Sequence, residues 1–483
     1  MRGPRALPVL AVAAAWSVVG VALSGLTRTL YTFLVARVEG EVVTGVVGAQ
    51  LALAAFATML WPAATGQAAS KFVARAQGLR DEGLAASVTR HLRGRTLLTG
   101  SIAAVLAVAA AVLVLHEPVS SALAVAPLVL GYAAYLLTRG VLLGSGRVAE
   151  ATRRELVALV LSLGVLAVLL AVGATPWLVL PLALGYVVYA VLGARRRPGT
   201  PRPAPVEPAL RREMDAFVAW GVLGNVASAG LLQLSLVVAG ATQRDADVGQ
   251  LTAAVALATP ASMIARSLVQ VLFPAMARSL AAGDRETVRR QTDLVTRGIV
   301  AAFVPLFGVL VLGSGLLIRV YGEDFRDPTA LRILLVAVLL TTLPVAAVAS
   351  MTSGGADGIR RSALMSLAGF VLGLVGMAAL TSGAGIVGIA VAYLAGAFLT
   401  SLLPWVWVWR TQEQRWGGLS LRVLLAVAVL VTVLVVQDDL PGGPVLAPVL
   451  LGVVLLGVWG AASARDLRAV LRNRSAPGDV RAP

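Results

Sequence analysis

The chain has 483 residues, of which 58% are hydrophobic and only 13% charged, and its mean hydropathy is +0.87. Soluble globular proteins carry about 25% charged residues, so that class is excluded and a polytopic membrane protein is expected. The net charge of +16 does not indicate a nucleic-acid partner, because the arginines fall in loops on alternate sides of the apolar segments, where they report topology.

The N-terminus pairs Arg2 and Arg5 with an apolar run that continues to about Val35. That is well beyond a signal-peptide core of roughly 7–15 residues, so it reads as an uncleaved first span. Runs of roughly 20 apolar residues, the length needed to cross a bilayer, then follow one another along the chain. The expected spans are 10–35, 43–66, 97–115, 121–143, 156–173, 176–194, 216–240, 248–273, 298–319, 331–351, 362–381, 384–408, 423–437 and 444–463. The fold class is therefore all-α, with about fourteen transmembrane helices. Loops after odd spans carry acids, among them Glu39, Glu41, Glu117, Asp245, Asp247, Glu323 and Asp324. Loops after even spans carry arginine, as at Arg75, Arg80, Arg90, Arg147, Arg195, Arg211, Arg285, Arg360 and Arg410. The positive-inside rule places the second set in the cytoplasm, together with both termini of a multi-pass cell-membrane protein. With no cysteine and two histidines, His91 and His116, both in predicted loops, disulfides, thiolate chemistry and metal sites have no foothold, and no cofactor is expected.

The segment from Gly48, GAQLALAAFATMLWPAATGQAASKFVARAQGLRDE, matches the segment from Gly249, GQLTAAVALATPASMIARSLVQVLFPAMARSLAAGDRE, with Gly48 against Gly249 and Phe72 against Phe273. The chain thus reads as a duplication. Its longest break in hydrophobicity, ARRRPGTPRPAPVEPALRREMD from Ala194, is a proline-dense linker. The expected organisation is an N-terminal lobe at 1–195, a cytoplasmic Pro/Arg-rich linker at 196–215, a C-terminal lobe at 216–410, and two further helices with a basic tail at 411–483.

Between Phe273 and Arg410 the chain reads FPAMARSLAAGDRE, LLIRVYGEDFRDPTALRILL, SGGADGIRRSA and GAGIVGIAVAYLAG, and after the first span LVARVEGEVVTG. In their order and spacing these stretches resemble the polysaccharide (lipid-linked oligosaccharide) flippase branch of the multidrug/oligosaccharidyl-lipid/polysaccharide exporter superfamily. The resemblance implies a V-shaped transporter of two six-helix lobes around a central cavity that opens alternately to each side. It also implies a polyprenyl-diphosphate-linked glycan as cargo, with membrane lipids and the glycosyltransferases and polymerase of the same pathway as partners. The fourteen-helix count is also like that of lipid II flippases, although the arginine those proteins place earlier in the eighth helix is not matched.

Moving a pyrophosphate through hydrocarbon calls for fixed cations, and arginine offers a planar fork that fits phosphate oxygens. Arg28 in SGLTRTLYTF of the first span and Arg266 in the eighth are the candidates, one per lobe, with snorkelling to an interface as the alternative. Gln50, Gln67, Asn225 and Gln233 are placed either to bind sugar hydroxyls or to tie helices together. Arg139 reads as an interface anchor, Tyr132 and Tyr135 as sugar-stacking residues, and Trp405, Trp407 and Trp409 as an interface belt, with sugar stacking as the alternative. No acidic residue falls inside a predicted span. Cation-coupled drug antiporters of the resembling superfamily need one, so the sequence favours the flippase over a drug or metabolite antiporter of the same fold. A membrane glycosyltransferase is the third reading, disfavoured because the external loops offer no acceptor platform, and no enzyme activity is expected. No Gly-x-x-x-x-Gly-Lys loop occurs, so the chain itself hydrolyses no nucleotide.

Overall fold

In hydrocarbon every backbone N–H and C=O must be satisfied within its own segment or a closed barrel, and apolar runs of this length resolve that constraint as helices. The computed structural model describes residues 6–194, 204–260, 276, 280, 283–353, 356–436 and 443–474, and among them there is no strand. Nine helices among the described residues are long and apolar enough to cross a membrane, and shorter apolar helices run over Gly417–Thr432 and Pro448–Ala464. Each expected span overlaps described helix, 43–66, 121–143, 298–319 and 331–351 running across a break between two helices, and the eighth is described only to residue 260 and the thirteenth to 436. The chain divides into two compact units, Met1–Ala256 with Leu374–Ile389, and Leu257–Gly373 with Ala390–Pro483.

The first unit begins with α1 (Ala6–Met59), which holds the first expected span and most of the second and bends between them at Gly40. There φ is 76° and ψ −170°, a conformation that glycine alone adopts without steric cost. Next come α2 (Pro62–Gly78), α3 (Glu82–Leu113), α4 (Val125–Gly144), α5 (Val148–Ala171) and α6 (Leu180–Ala194). The start of α3 is fixed by Asp81, whose carboxylate accepts a hydrogen bond from the Leu84 amide at 2.8 Å, the expected N-cap geometry. Helix α7 (Pro208–Asn225) passes through a π-helical turn, Val226–Gly230, into α8 (Leu231–Thr242), and α9 occupies 245–260. The end of the linker docks onto this unit. Val206, Met214 and Val218 are buried with Phe72, Val88 and Leu92, and Arg75 pairs with Glu213 at 3.0 Å and Arg95 with Asp215 at 2.9 Å.

The duplicated glycines lie at one crossing, between α1 and α9. A Cβ on Gly249 would sit 2.0 Å from the Glu41 carbonyl oxygen, one on Gly45 2.0 Å from that of Asp245, and one on Gly48 2.0 Å from the Thr252 hydroxyl. Lipid tails provide no hydrophobic drive for helices to associate, so close backbone approach over small residues supplies the contact. Gly249→Ala is accordingly expected to force the two backbones apart and destabilise the protein by about 1–3 kcal/mol, read as a lower thermal midpoint in detergent; Gly224→Ala, which meets open space, serves as the control.

In the second unit α10 (Arg285–Leu312) is N-capped by Asp284, which accepts from the Thr287 amide at 2.9 Å. It is followed by α11 (Thr329–Thr342), α12 (Val345–Ser353), α13 (Ala356–Thr411), α14 (Gly417–Val436) and α15 (Gly443–Arg474). Helix α13, whose residues Leu374–Ile389 belong to the first unit, bends at Gly385, φ 54°, and holds two expected spans. The two terminal helices are joined to α10 by charge. Arg297 donates to Asp293 at 2.9 Å and to Asp466 at 3.1 Å, Asp466 also pairs with Arg422 at 2.8 Å, and Trp416 donates to Asp293 at 2.9 Å. Trp459 adds a bond to the Ala301 carbonyl at 3.1 Å.

Several helices begin earlier than the hydropathy pattern predicts. Helix α3 starts at Glu82 rather than 97, α5 at Val148 rather than 156, and α10 at Arg285 rather than 298. His91 therefore stands on a helix and not in a loop. Charged first turns extend a helix beyond the bilayer without breaking it, since Arg and Glu are good helix formers.

Candidate functional site

The candidate site lies in the first unit, where polar side chains from α1 and α4–α8 interrupt otherwise apolar helices. Arg28 stands on α1 between Thr27 and Thr29. Thr27 bonds back to the Leu23 carbonyl at 2.8 Å and Thr32 to that of Arg28 at 2.5 Å, which satisfies these hydroxyls on their own helix. Thr29 also reaches the Ala256 carbonyl at 3.2 Å. The half-buried Arg28 guanidinium donates one bond, from Nη2 to Gln233 Oε1 at 3.2 Å, and no ion pair to it occurs among the described residues. Two of the residues expected at the site, 205 positions apart, are thus brought together. Arg266 lies outside the described residues.

Asn225 accepts from Gln67 at 3.0 Å, while its own amide nitrogen is buried without a partner. Gln50 is only 2% exposed and donates to Glu117 at 2.5 Å and to Ser121 at 2.8 Å, tying α1 to the turn that precedes α4. Burial pushes the Glu117 carboxyl above the usual carboxylate range and nearby Asp245 adds to this, while the Gln50 and Ser121 donors oppose it. A carboxyl with a raised value favours the folded state when protonated, so its contribution is full at low pH and is lost as pH rises through the raised value. Glu117→Gln keeps an acceptor for Gln50 and removes the charge. It is expected to flatten that slope and to raise the thermal midpoint at neutral pH by about 1–3 °C, checked by melting curves across the acid-to-neutral range.

Beside Arg28 lies a cluster of which the sequence reading named Tyr132, Tyr135 and Arg139 singly and missed Tyr186, Tyr189 and Glu155. Tyr132 and Tyr135 on α4 and Tyr186 and Tyr189 on α6 are spaced three apart, so each pair shares a helix face. Tyr132 and Tyr135 each sit 4.9 Å from the Tyr186 ring, and Tyr135 lies 4.7 Å from Tyr189. These rings contact one another as core. The Tyr135 hydroxyl donates to both oxygens of Glu155, at 2.9 and 3.0 Å, and accepts from Arg139 Nη1 at 3.2 Å. Glu155, one residue ahead of the expected span 156–173, is only 6% exposed on α5. Arg139, expected as an interface anchor, is instead half-buried as the cation facing this acid through Tyr135. The Tyr189 hydroxyl, also buried, has no partner. The tryptophans expected as an interface belt partly join the second unit's core. Trp405 stacks 4.7 Å from the buried Trp416 and donates to Ser420, while Arg361 lies 5.7 Å from the Trp407 ring.

No family model matches the chain, and no curated protein matches it. Solved structures do. The chain aligns with the lipid II flippase MurJ in an inward closed conformation at a TM-score of 0.70 and 11% identity, covering 95% of this chain and 99% of that one. An outward-facing multidrug resistance MATE family transporter of the MOP superfamily aligns at 0.61 and 13%, covering 83% and 95%. An inward-facing MATE transporter of that superfamily aligns at 0.58 and 16%, covering 83% and 94%. All three are transporters or flippases rather than enzymes, and at these identities the likeness is one of fold. The chain is therefore a multi-pass, all-α membrane protein with the transporter fold seen in the MATE and MurJ structures.

Proposed function

We propose that this protein is a flippase that translocates a polyprenyl-diphosphate-linked oligosaccharide for cell-surface polysaccharide synthesis, by alternating access. The observation that carries this reading is Arg28. A guanidinium on a membrane helix has five N–H donors and a permanent charge, and here one donor meets a neutral amide. A neutral partner leaves the charge available to an anion that arrives and departs, and the planar fork suits a diphosphate better than a point charge would. Arg266 is proposed as the second cation, and Gln50, Asn225 and Gln233 as polar contacts to the sugar. The likeness in fold to a lipid II flippase supports a lipid-linked cargo, and lipid II itself is the nearest alternative. On this reading the functional lobes are 1–195 and 216–410, both termini are cytoplasmic, and the glycosyltransferases and polymerase of the pathway are neighbours in the membrane. Reporter fusions after Asp245 and after Arg289 are expected to report opposite sides; the same side for both would refute this topology.

Glu155 favours a second reading, a proton- or cation-coupled antiporter of drugs or metabolites, because a carboxylate only 6% exposed beside the expected span 156–173 is placed to take up a cation. One reconstitution separates the two. Proteoliposomes with fluorescent polyprenyl-diphosphate sugars are expected to show leaflet exchange that depends on the protein. No exchange, together with pH-gradient-driven movement of a cationic dye that Glu155→Gln abolishes, would replace the flippase by the antiporter.

A further inference from the structure

Helices α7 and α8 form one rod over 208–242 whose hydrogen-bond ladder is α-helical at both ends and π-helical at Val226–Gly230. A π-turn holds one more residue than an α-helix would, is rare, and occurs mostly at functional sites. The local sequence does not impose it. VASAG contains no proline, and the flanking Asn225 and Leu231 have ordinary right-handed helical angles, φ/ψ −67°/−47° and −59°/−40°.

The cause is the packing on either side. Before the turn, Met214 and Val218 are buried against α2 and α3, Glu213 and Asp215 pair with Arg75 and Arg95, and Asn225 accepts from Gln67. Beyond it, Leu231, Leu236 and Ala239 are buried, and Gln233 accepts from Arg28. Each half is fitted to its own neighbours, and the two are out of helical step by one residue. The π-turn absorbs the difference.

We propose that this turn is a register switch acting on Arg28. Its conversion to α-helix would rotate the segment beyond it by about 100° and push it outward along the axis by about 1.5 Å. That motion takes Gln233 off the guanidinium and frees its full fork for a phosphate group. The half beyond the turn is the one that moves, because the preceding half carries two ion pairs and an amide bond, whereas among the described residues the polar tie to α1 beyond the turn is the 3.2 Å bond from Arg28. The unpartnered buried nitrogen of Asn225, at the N-terminal edge of the turn, marks the present register as incompletely satisfied. The switch rests on the reading of Arg28 as the anion site, and its test keeps the two apart.

The chain has no cysteine, so engineered pairs form without background. A Cβ on Gly221 lies 3.1 Å from that of Ala64, before the turn, and one on Gly240 lies 3.0 Å from that of Ala49, beyond it; both approach the separation of a disulfide, about 3.5–4.5 Å. In proteoliposomes with a fluorescent polyprenyl-diphosphate sugar, both cysteine pairs in their reduced form are expected to exchange within about twofold of the parent protein. Oxidation of Ala49→Cys/Gly240→Cys is expected to lower exchange at least tenfold, as for a site whose competent state is no longer populated, with recovery on reduction. Deleting Ala229 removes the extra residue, lets both halves keep their present contacts across a plain α-helix, and is expected to reproduce that loss without cross-linking. Normal exchange in the deletion would overturn the switch, because loss in the oxidised pair alone also follows from joining the proposed lobes 1–195 and 216–410. If Arg28→Ala also exchanges normally, the anion-site reading fails; if Arg28→Ala alone is inactive, that reading stands and only the switch is lost.

Discussion

Arg28→Ala is expected to lower leaflet exchange of a polyprenyl-diphosphate sugar by roughly 10- to 100-fold, the equivalent of the ~1.5–3 kcal/mol carried by hydrogen bonds to a charged group. The protein should remain folded, because the bond that is lost joins the guanidinium to a neutral amide and leaves no charge stranded. Lysine at the same position retains the charge without the bidentate fork and is expected to give an intermediate rate. Initial rates in proteoliposomes, alongside melting curves of the purified variants, check both statements. A normal rate for Arg28→Ala would return this residue to the role of an interfacial anchor.

The second large effect concerns the buried acid. Tyr135 stands between Arg139 and Glu155 and bonds to both, so Arg139→Ala leaves Glu155 without its counter-charge inside a membrane helix. Breaking a buried pair from one side costs about 3–5 kcal/mol, and Arg139→Ala is expected to lower stability by an amount toward the lower end of that range because Arg139 is only half-buried. Tyr135→Phe removes one hydroxyl and is expected to cost about 1–3 kcal/mol. The double variant Arg139→Ala/Glu155→Gln should recover most of the loss, since neither charge then remains. Additive losses in that cycle, measured by unfolding in detergent, would mean that the two residues are not coupled through Tyr135.

How far the sequence spoke for the structure differs from place to place. The spans were legible because each needs about 20 apolar residues and each loop declares its side through charge; 176–194 in the sequence became a spanning helix over Thr175–Gly193. Arg28 and Gln233 were legible singly as polar residues in apolar helices. Their bond was not, because helical periodicity carries no information about a partner 205 residues away. Glu155 was hidden by its neighbours. Arg147, Glu150, Arg153 and Arg154 make the stretch read as an aqueous loop, yet Glu150 pairs with Arg147 and Arg154, and the helix runs through the charged turn with Glu155 facing inward. The bends at Gly40 and Gly385 were legible as breaks, but a break of several residues was expected where one glycine in the left-handed half of backbone space suffices.

The Tyr135 bond to Glu155 also bears on how the chain is made. It joins residues 20 positions apart, on two helices separated by only the three residues 145–147. A charged residue offered singly to the lipid from the insertion machinery meets a barrier of about 2.5–3.5 kcal/mol. Here Arg139 leaves the ribosome before Glu155, and both can reach the Tyr135 hydroxyl as soon as the second helix follows the first. The bonds through Tyr135 thus close a local hairpin of α4 and α5 in which the charges of Arg139 and Glu155 are matched without any later helix.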